Sequence, residues 1–246
     1  MILLGMDVGG SSIKGAPVDT AAGRLAEPAI ALPTPQPATP AAVAAVARDL
    51  AGRLATTGPV GFGLPSVVIQ GRVYTAANIA HSWIGVDGAQ LLSAALGRPC
   101  VLLNDADAAG LAEMRAGAGR GLGGTVIVLT FGTGIGSAIF IDGMLVPNTE
   151  FGHLEMNGQE AEALASGRAR IKRGLSWAAW AEAVNEYLMQ MHRLIWPGTF
   201  ILCGGVTENY HEFGHLLTSP AHIVPGVLRL EAGIVGAALA AADSLA

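Results

Sequence analysis

An α/β fold of two similar halves is what the sequence predicts, and three observations predict it. Strand-like and helix-like segments alternate along the chain. A strand, a glycine turn and a second strand occur near residue 10 and again near residue 133. The 246 residues are 51% hydrophobic and 13% charged, enough apolar side chain to fill a sizeable core and too little charge for a disordered chain.

The elements follow in order. Ile2–Asp7 reads as a buried strand, Gly9–Ser12 as a tight turn and Ile13–Val18 as the returning strand. The Pro-rich stretch 28–40 reads as a surface connection. Ala41–Thr57 has helical composition, with Thr39 as cap and Pro40 as first position. Val60–Leu64 is a strand closed by Pro65, and Val86–Leu96 a helix opened by Asp87. Val101–Leu103 is a strand and Asp105–Ala118 a helix with an acidic first turn. Thr125–Phe131 and Ile135–Ile141 repeat the strand–turn–strand unit. Ser176–Arg193 is a helix capped by Ser176. Phe200–Cys203 is a strand running into Gly204-Gly205 and a further helix, and Glu231–Ala242 is the closing helix. Two such halves facing each other across a cleft would explain the echo.

Composition narrows the function. The formal net charge is −5 and the pI about 5.6, so no nucleic-acid partner is expected. Cys100 and Cys203 stand alone, with no CxxC, which fits a reducing cytoplasm and neither a disulfide scaffold nor a cysteine-rich zinc site. The N-terminus has no basic region before its apolar run, so a signal peptide is not expected. Gly121–Ile141 is uncharged and long enough to suggest a membrane span, but its glycines and β-branched residues fit two strands around a turn. No membrane partner is expected.

Several groups could carry chemistry. In the first turn, glycines let backbone N–H groups approach an anion, Lys14 adds positive charge, and Asp7 could hold a hydrated Mg²⁺ that accompanies phosphates. Taken alone, such a Gly-Gly turn is usually just a hairpin turn with an exposed lysine, and it is not a P-loop. The second turn, Gly132-Thr133-Gly134-Ile135-Gly136, has GxGxG spacing followed by strand, unlike a dinucleotide fingerprint. Two donor-rich loops together suit a chain of phosphates. Asn104-Asp105 follows a strand and opens a helix, where a carboxylate can take a hydroxyl proton; helix capping is the competing reading. Glu150 and His153, with Glu155, lie in a loop and suit vicinal sugar hydroxyls, or are simply solvated. His211-Glu212-Phe213-Gly214-His215 matches HExxH, but Gly214 interrupts the metal helix and no third ligand follows, so the match is read as accidental. Arg168, Arg170, Lys172 and Arg173 could guide a polyanion or form a solvated face. Trp177 and Trp180 read as packing residues.

Taken in register, the segments GMDVGGSSIKGA, GFGLPSVV, TAANIAHSWIG, NDADAAGLAE, LTFGTGIGSAIF, EFGHLE, GLSWAAWA, CGGVTEN and EAGIVGAALA resemble the ROK family of sugar kinases, its polyphosphate glucokinase branch above all. The resemblance implies an α/β, actin/hexokinase-like (ribonuclease H-like) two-domain fold with an interdomain cleft. Residues 1–103 would form the N-terminal domain, joined by a closing helix 231–246, and 104–230 the C-terminal domain. It implies Asp105 as general base on the sugar 6-hydroxyl, and Asn104, Glu150, His153 and Glu162 as sugar ligands. Asp7, Gly9, Gly10, Ser12 and Lys14 look like the first phosphate motif, with Asp7 holding Mg²⁺ through water. Gly132, Thr133, Gly134 and Gly136 look like the second, and Gly204 and Gly205 like the motif bordering the donor.

The implied reaction is phosphorylation of glucose by polyphosphate, or by ATP, in a cytoplasmic homodimer. An ATP-dependent kinase of mannose, fructose or an N-acetylhexosamine is the alternative, and a catalytically inactive sugar-binding protein the alternative of another class. A ROK-type repressor would need a DNA-binding extension before the first motif, and none is expected. The region 156–170 has no cysteine, so no structural zinc is expected. Ala80-His81, Thr207-Glu208 and Leu230-Glu231 stand where the branch is usually more basic or less acidic, and Leu64-Pro65-Ser66 replaces its Gly-Pro-Gly-like turn.

Overall fold

The computed structural model describes residues 1–245. It divides into two compact units, Met1–Ala112 together with the segment from Glu231 onward, and Glu113–Leu230.

The first unit is built on a mixed sheet. β1 (Ile2–Val8) and β2 (Ser12–Asp19) form an antiparallel hairpin around the first glycine turn. β3 (Arg24–Leu25) and β4 (Ile30–Pro33) both pair with β2. β4 differs from expectation: the stretch 28–40 contains a strand, hidden in the sequence because its prolines signal turns. Pro33 is tolerated there because it sits at the end of an outer strand. α1 (Pro40–Arg53) stops four residues short of the predicted Thr57. β5 (Val60–Leu64) adds parallel to β1. β6 (Val68–Ile69) and β7 (Arg72–Val73) make a small hairpin before α2 (Gly88–Leu96). β8 (Cys100–Asn104) completes the order β3-β2-β1-β5-β8 and leads straight into α3 (Asp105–Ala116). Thr39 and Asp87 cap α1 and α2 by accepting from the Ala42 and Gln90 N–H groups, each cap being worth about 1 kcal/mol.

The second unit repeats this plan. β9 (Thr125–Phe131) and β10 (Ile135–Ile141) form a hairpin around the second glycine turn, and β11 (Met144–Val146) extends it. β12 (Glu155–Met156) and β13 (Gln159–Glu160) form a two-residue hairpin. The short helices α4 (Ala161–Ala165) and α5 (Gly167–Lys172) precede the long α6 (Trp177–Ile195). β14 (Thr199–Cys203) pairs parallel with β9, and β15 (His222–Pro225) with β14. Between them the predicted helix after Gly204-Gly205 is instead a 3₁₀ turn, Gly205–Asn209, followed by α7 (Tyr210–Phe213). The core gathers the Trp180, Tyr187, Phe131, Phe200 and Phe213 rings, with Phe131 edge-on to Trp180 at 5.6 Å. Trp177 stacks on Phe213, so both tryptophans do pack.

α8 (Ala232–Asp243) returns to the first unit; of the predicted closing helix 231–246, Ala246 lies outside the described residues. It packs backbone to backbone on β1 and β5. A Cβ at Gly5 or Gly61 would run into the Ile234 or Ala237 carbonyl. The division between units falls inside α3, between Ala112 and Glu113, rather than at residue 103. The reason is in the packing: Ala108 lies against Gly236 of α8, whereas Met114 joins Val126 and Ile201 in the second core. Among the described residues no helix is long and apolar enough to cross a membrane, and the uncharged stretch at 121–141 is largely the β9–β10 hairpin.

Candidate active site

In the first unit, the turn Gly9–Ser12 has each of its four carbonyls tied back. Gly9 O accepts from Thr34 Oγ1 at 2.6 Å, Gly10 O from Gln36 Nε2 at 3.3 Å, Ser11 O from Thr34 N at 3.1 Å, and Ser12 O from Gly9 N at 3.0 Å. With the carbonyl dipoles turned to protein partners, the turn can present N–H groups to an anion. Asp7 and Lys14 are cross-strand partners in the β1–β2 register. Asp7 is half-buried, and lost hydration pushes its pKa above the usual carboxylate range, against a smaller pull from Lys14. It lies against the first turn of α8, where a Cβ at Gly233 would come within 3.0 Å of the carboxyl carbon.

Asn104 and Asp105 stand where β8 meets α3. Asn104 is 5% exposed. Its Oδ1 accepts from Ala106 N at 2.8 Å and Asp107 N at 3.0 Å, and its Nδ2 donates to Ser66 O at 3.1 Å. Asn104 therefore caps α3, the reading that competed with ligand contact. It fixes the corner from which the half-buried Asp105 projects. Asp105 Oδ1 accepts from Ala106 N at 2.9 Å. Gly63 brings the two acids close: a Cβ there would lie 3.5 Å from Asp105 Cα and 3.7 Å from Asp7 Oδ1. Ser66 is buried and its hydroxyl has no partner among the described residues.

In the second unit, Gly132 O accepts from Arg168 N at 3.0 Å, and Gly134 O from Gly132 N at 3.0 Å. Glu162, on α4, accepts from Ile135 N at 3.3 Å, and only a missing side chain at Gly134 leaves room for its carboxylate. Thr133 is exposed and Gly136 half-buried in β10. Gly204 adopts φ +88°, where its bare Cα faces the Phe131 backbone, and Gly205 opens the following 3₁₀ turn. Thr207 Oγ1 donates to Gly204 O at 2.8 Å, holding that turn.

Glu150 is aimed by its neighbours. Ser137 Oγ donates to Thr149 O at 2.8 Å and accepts from Phe151 N at 3.1 Å. Lost hydration raises the Glu150 pKa; His153 lowers it and Glu162 raises it again. His153 Nε2 lies 3.8 Å from Glu150 Oε2, and its Nδ1 lies 3.2 Å from Glu160 Oε1. His153, Glu160 and Glu162 offer donor atoms within 4.8 Å of one another. Glu150, His153 and Glu162 thus come together as one polar cluster beside the second glycine turn.

Sequence reasoning missed Thr34, Gln36, Ser137, Thr149 and Glu160. The Asn157-Gly158 pair, a hairpin signal, could have found Glu160, since the β12–β13 hairpin it turns carries that residue back toward His153. His211 and His215 fall on the four-residue α7 and the 3₁₀ turn after it, and His211 Nε2 lies 3.3 Å from Glu212. That is not the continuous helix a HExxH zinc site needs.

The chain matches the ROK family over residues 3–173. It is 47% identical to a polyphosphate glucokinase of Mycobacterium tuberculosis (strain CDC 1551 / Oshkosh) over 237 residues, 96% of this chain and 89% of that protein. It is similar to the crystal structure of an inorganic polyphosphate/ATP-glucomannokinase from Arthrobacter sp. strain KM, with TM-score 0.95, 46% identity and 99% of each chain covered. It is also similar to a glucokinase from Streptomyces griseus solved with glucose and AMPPNP, with TM-score 0.83, 25% identity, and 97% and 98% covered.

Proposed function

The chain belongs to the ROK family and has its actin/hexokinase-like fold, and from that premise we propose that it transfers a phosphoryl group from inorganic polyphosphate to the 6-hydroxyl of glucose. The observation that carries this reading is the Gly9–Ser12 turn. Its four carbonyls are all occupied, and Asp7, close to the Asp105 corner, lies beside it.

Each unit does part of the work. In the first, Asp105 accepts the hydroxyl proton as the oxygen attacks the terminal phosphorus, and Asn104 holds the corner that aims it. Amides of Gly10 and Ser12, with Lys14, offset charge spreading over the transferred oxygens, while the Gly9 N–H closes the turn on Ser12 O. In the second, Glu150, His153 and Glu162 hold sugar hydroxyls, and the turn Gly132-Thr133-Gly134 with Gly136 holds donor phosphates. Gly204 and Gly205 border the donor.

Asp7 fits a magnesium ion. Its partly desolvated carboxylate carries an unfavourable charge that a cation would relieve, and Mg²⁺ is commonly held by one carboxylate, waters and phosphate. When bound, the ion would neutralise donor phosphate charge. A cytoplasmic location and a homodimer belong to the same reading.

A coupled assay for glucose 6-phosphate tests it, run with glucose and Mg²⁺ and, in parallel, polyphosphate or ATP. Turnover with polyphosphate is the expected result. A kcat/KM strongly favouring ATP would make the chain an ATP-dependent hexose kinase, and no turnover with either donor would leave a sugar-binding protein.

A further inference from the structure

Four of the chain's 14 Lys and Arg residues fall within the six positions 168–173, in a chain of net charge −5. They form α5 and the residue that ends it, and α5 is docked on the second glycine turn. Arg168 N donates to Gly132 O at 3.0 Å, and Gly167 packs beneath against Val206 and the Gly132 and Phe131 carbonyls. Ser166 caps the helix through Ala169 N at 3.0 Å.

The four cations are not neutralised. None has a carboxylate within 4.0 Å among the described residues. Arg170 is fastened by neutral groups only, its guanidinium 3.5 Å over the Trp177 ring and its Nη1 donating to Leu175 O at 3.2 Å. Arg173 donates to Leu164 O at 3.3 Å. Arg168 and Lys172 are exposed and share a helix face at i and i+4. A protein surface usually intersperses both signs of charge; here a rigid one-sign strip starts at the residue that grips Gly132.

We propose that Arg168, Lys172 and Arg173, with Arg170 pinned behind them, seat the distal phosphates of an inorganic polyphosphate chain whose nearer phosphates are held by the Gly132–Gly134 turn. The inference rests on the proposed reaction and adds to it a dependence on donor length. A long chain reaches the strip; a tripolyphosphate is consumed by the turn alone. The attraction is electrostatic and multivalent, so salt weakens it.

The test compares wild type with Arg168→Gln/Lys172→Gln/Arg173→Gln, using long-chain polyphosphate and tripolyphosphate. With the strip neutralised, KM for the long chain should rise about tenfold or more, by analogy with loss of several cation–phosphate contacts on a polyanion. KM for tripolyphosphate and for glucose should stay within about twofold, the scale of neutral surface changes. The wild-type advantage of the long chain should also shrink as salt rises. An unchanged long-chain KM, or an equal rise for both donors, overturns the proposal. Calorimetry with long-chain polyphosphate and no glucose separates the two levels of inference. Binding weakened by the variant in a protein that phosphorylates nothing would keep the strip and reject the reaction. Turnover of glucose with unaltered polyphosphate binding would keep the reaction and reject the strip.

Discussion

Asp105 and Asp7 are both acids of the first unit, but their surroundings set them different tasks. Asp105 projects half-exposed from the start of α3, where a substrate can reach it. Asp105→Asn keeps the size and the backbone contact and removes the base. We expect kcat to fall by about 10²–10⁴-fold with glucose affinity nearly unchanged, measured by steady-state kinetics beside calorimetry. Asp7 is half-buried against α8, and its raised pKa means that folding costs something whenever it is ionised. The stability it offers in the protonated form is complete below the ordinary value of 3.8 and is lost as pH rises through the higher folded value. Asp7→Asn should therefore melt higher than wild type at pH 7 while losing activity, and the gap should narrow as pH falls toward 3.8. Equal melting temperatures at pH 7 in metal-free buffer would contradict this. Asp7, Lys14, Asp105 and Glu150 stood out because each lies beside a local signal, a glycine turn or an element end, whereas Glu162 entered only through the family resemblance. Thr34 did not stand out: it ties Gly9 O from 25 residues away, a pairing that only the folded β2–β4 edge creates.

Among the elements, the second glycine turn and α4 depend on each other. Glu162 reaches Ile135 N only because position 134 lacks a Cβ. Gly134→Ala should push that carboxylate aside and lower kcat/KM for glucose roughly ten- to hundredfold, since misplacements of about 1 Å cost that much. In the Glu162→Ala background the same change should add little; additive losses would show that the two act separately. The glycine hairpins, the caps Thr39, Asp87 and Ser176, and the long helices were readable because their signals are local. β4 and the segment after Gly205 were not. Prolines disguised the first as a loop, and Gly204-Gly205 suggested a full helix where Thr207 folds back on Gly204.

At the scale of the molecule, the two sheets share one plan, a hairpin followed by two parallel strands. The paired strand–turn–strand pattern carried that much of the architecture. The exact division did not show, because α3 serves both cores and its sequence has no break at Ala112. If the second unit's polar cluster holds glucose as proposed, the ligand should stabilise the folded protein. Glucose at a hundred times its dissociation constant should add about 2.7 kcal/mol, visible as a raised Tm. A hexose that leaves Tm unmoved at that excess would not be the substrate.

The position of α8 bears on how the protein is made. It lies on β1 and β5, whose Gly5 and Gly61 leave a groove fitted to its backbone, yet it is separated from them in the chain by the entire second unit. During synthesis the earliest strands must therefore emerge from the ribosome with that groove open, and they stay so until residues 232–243 arrive. The second unit, contiguous in the chain, can mature first. Nascent chains arrested before α8 should accordingly recruit chaperones through the β1–β5 face, while completed ones should not.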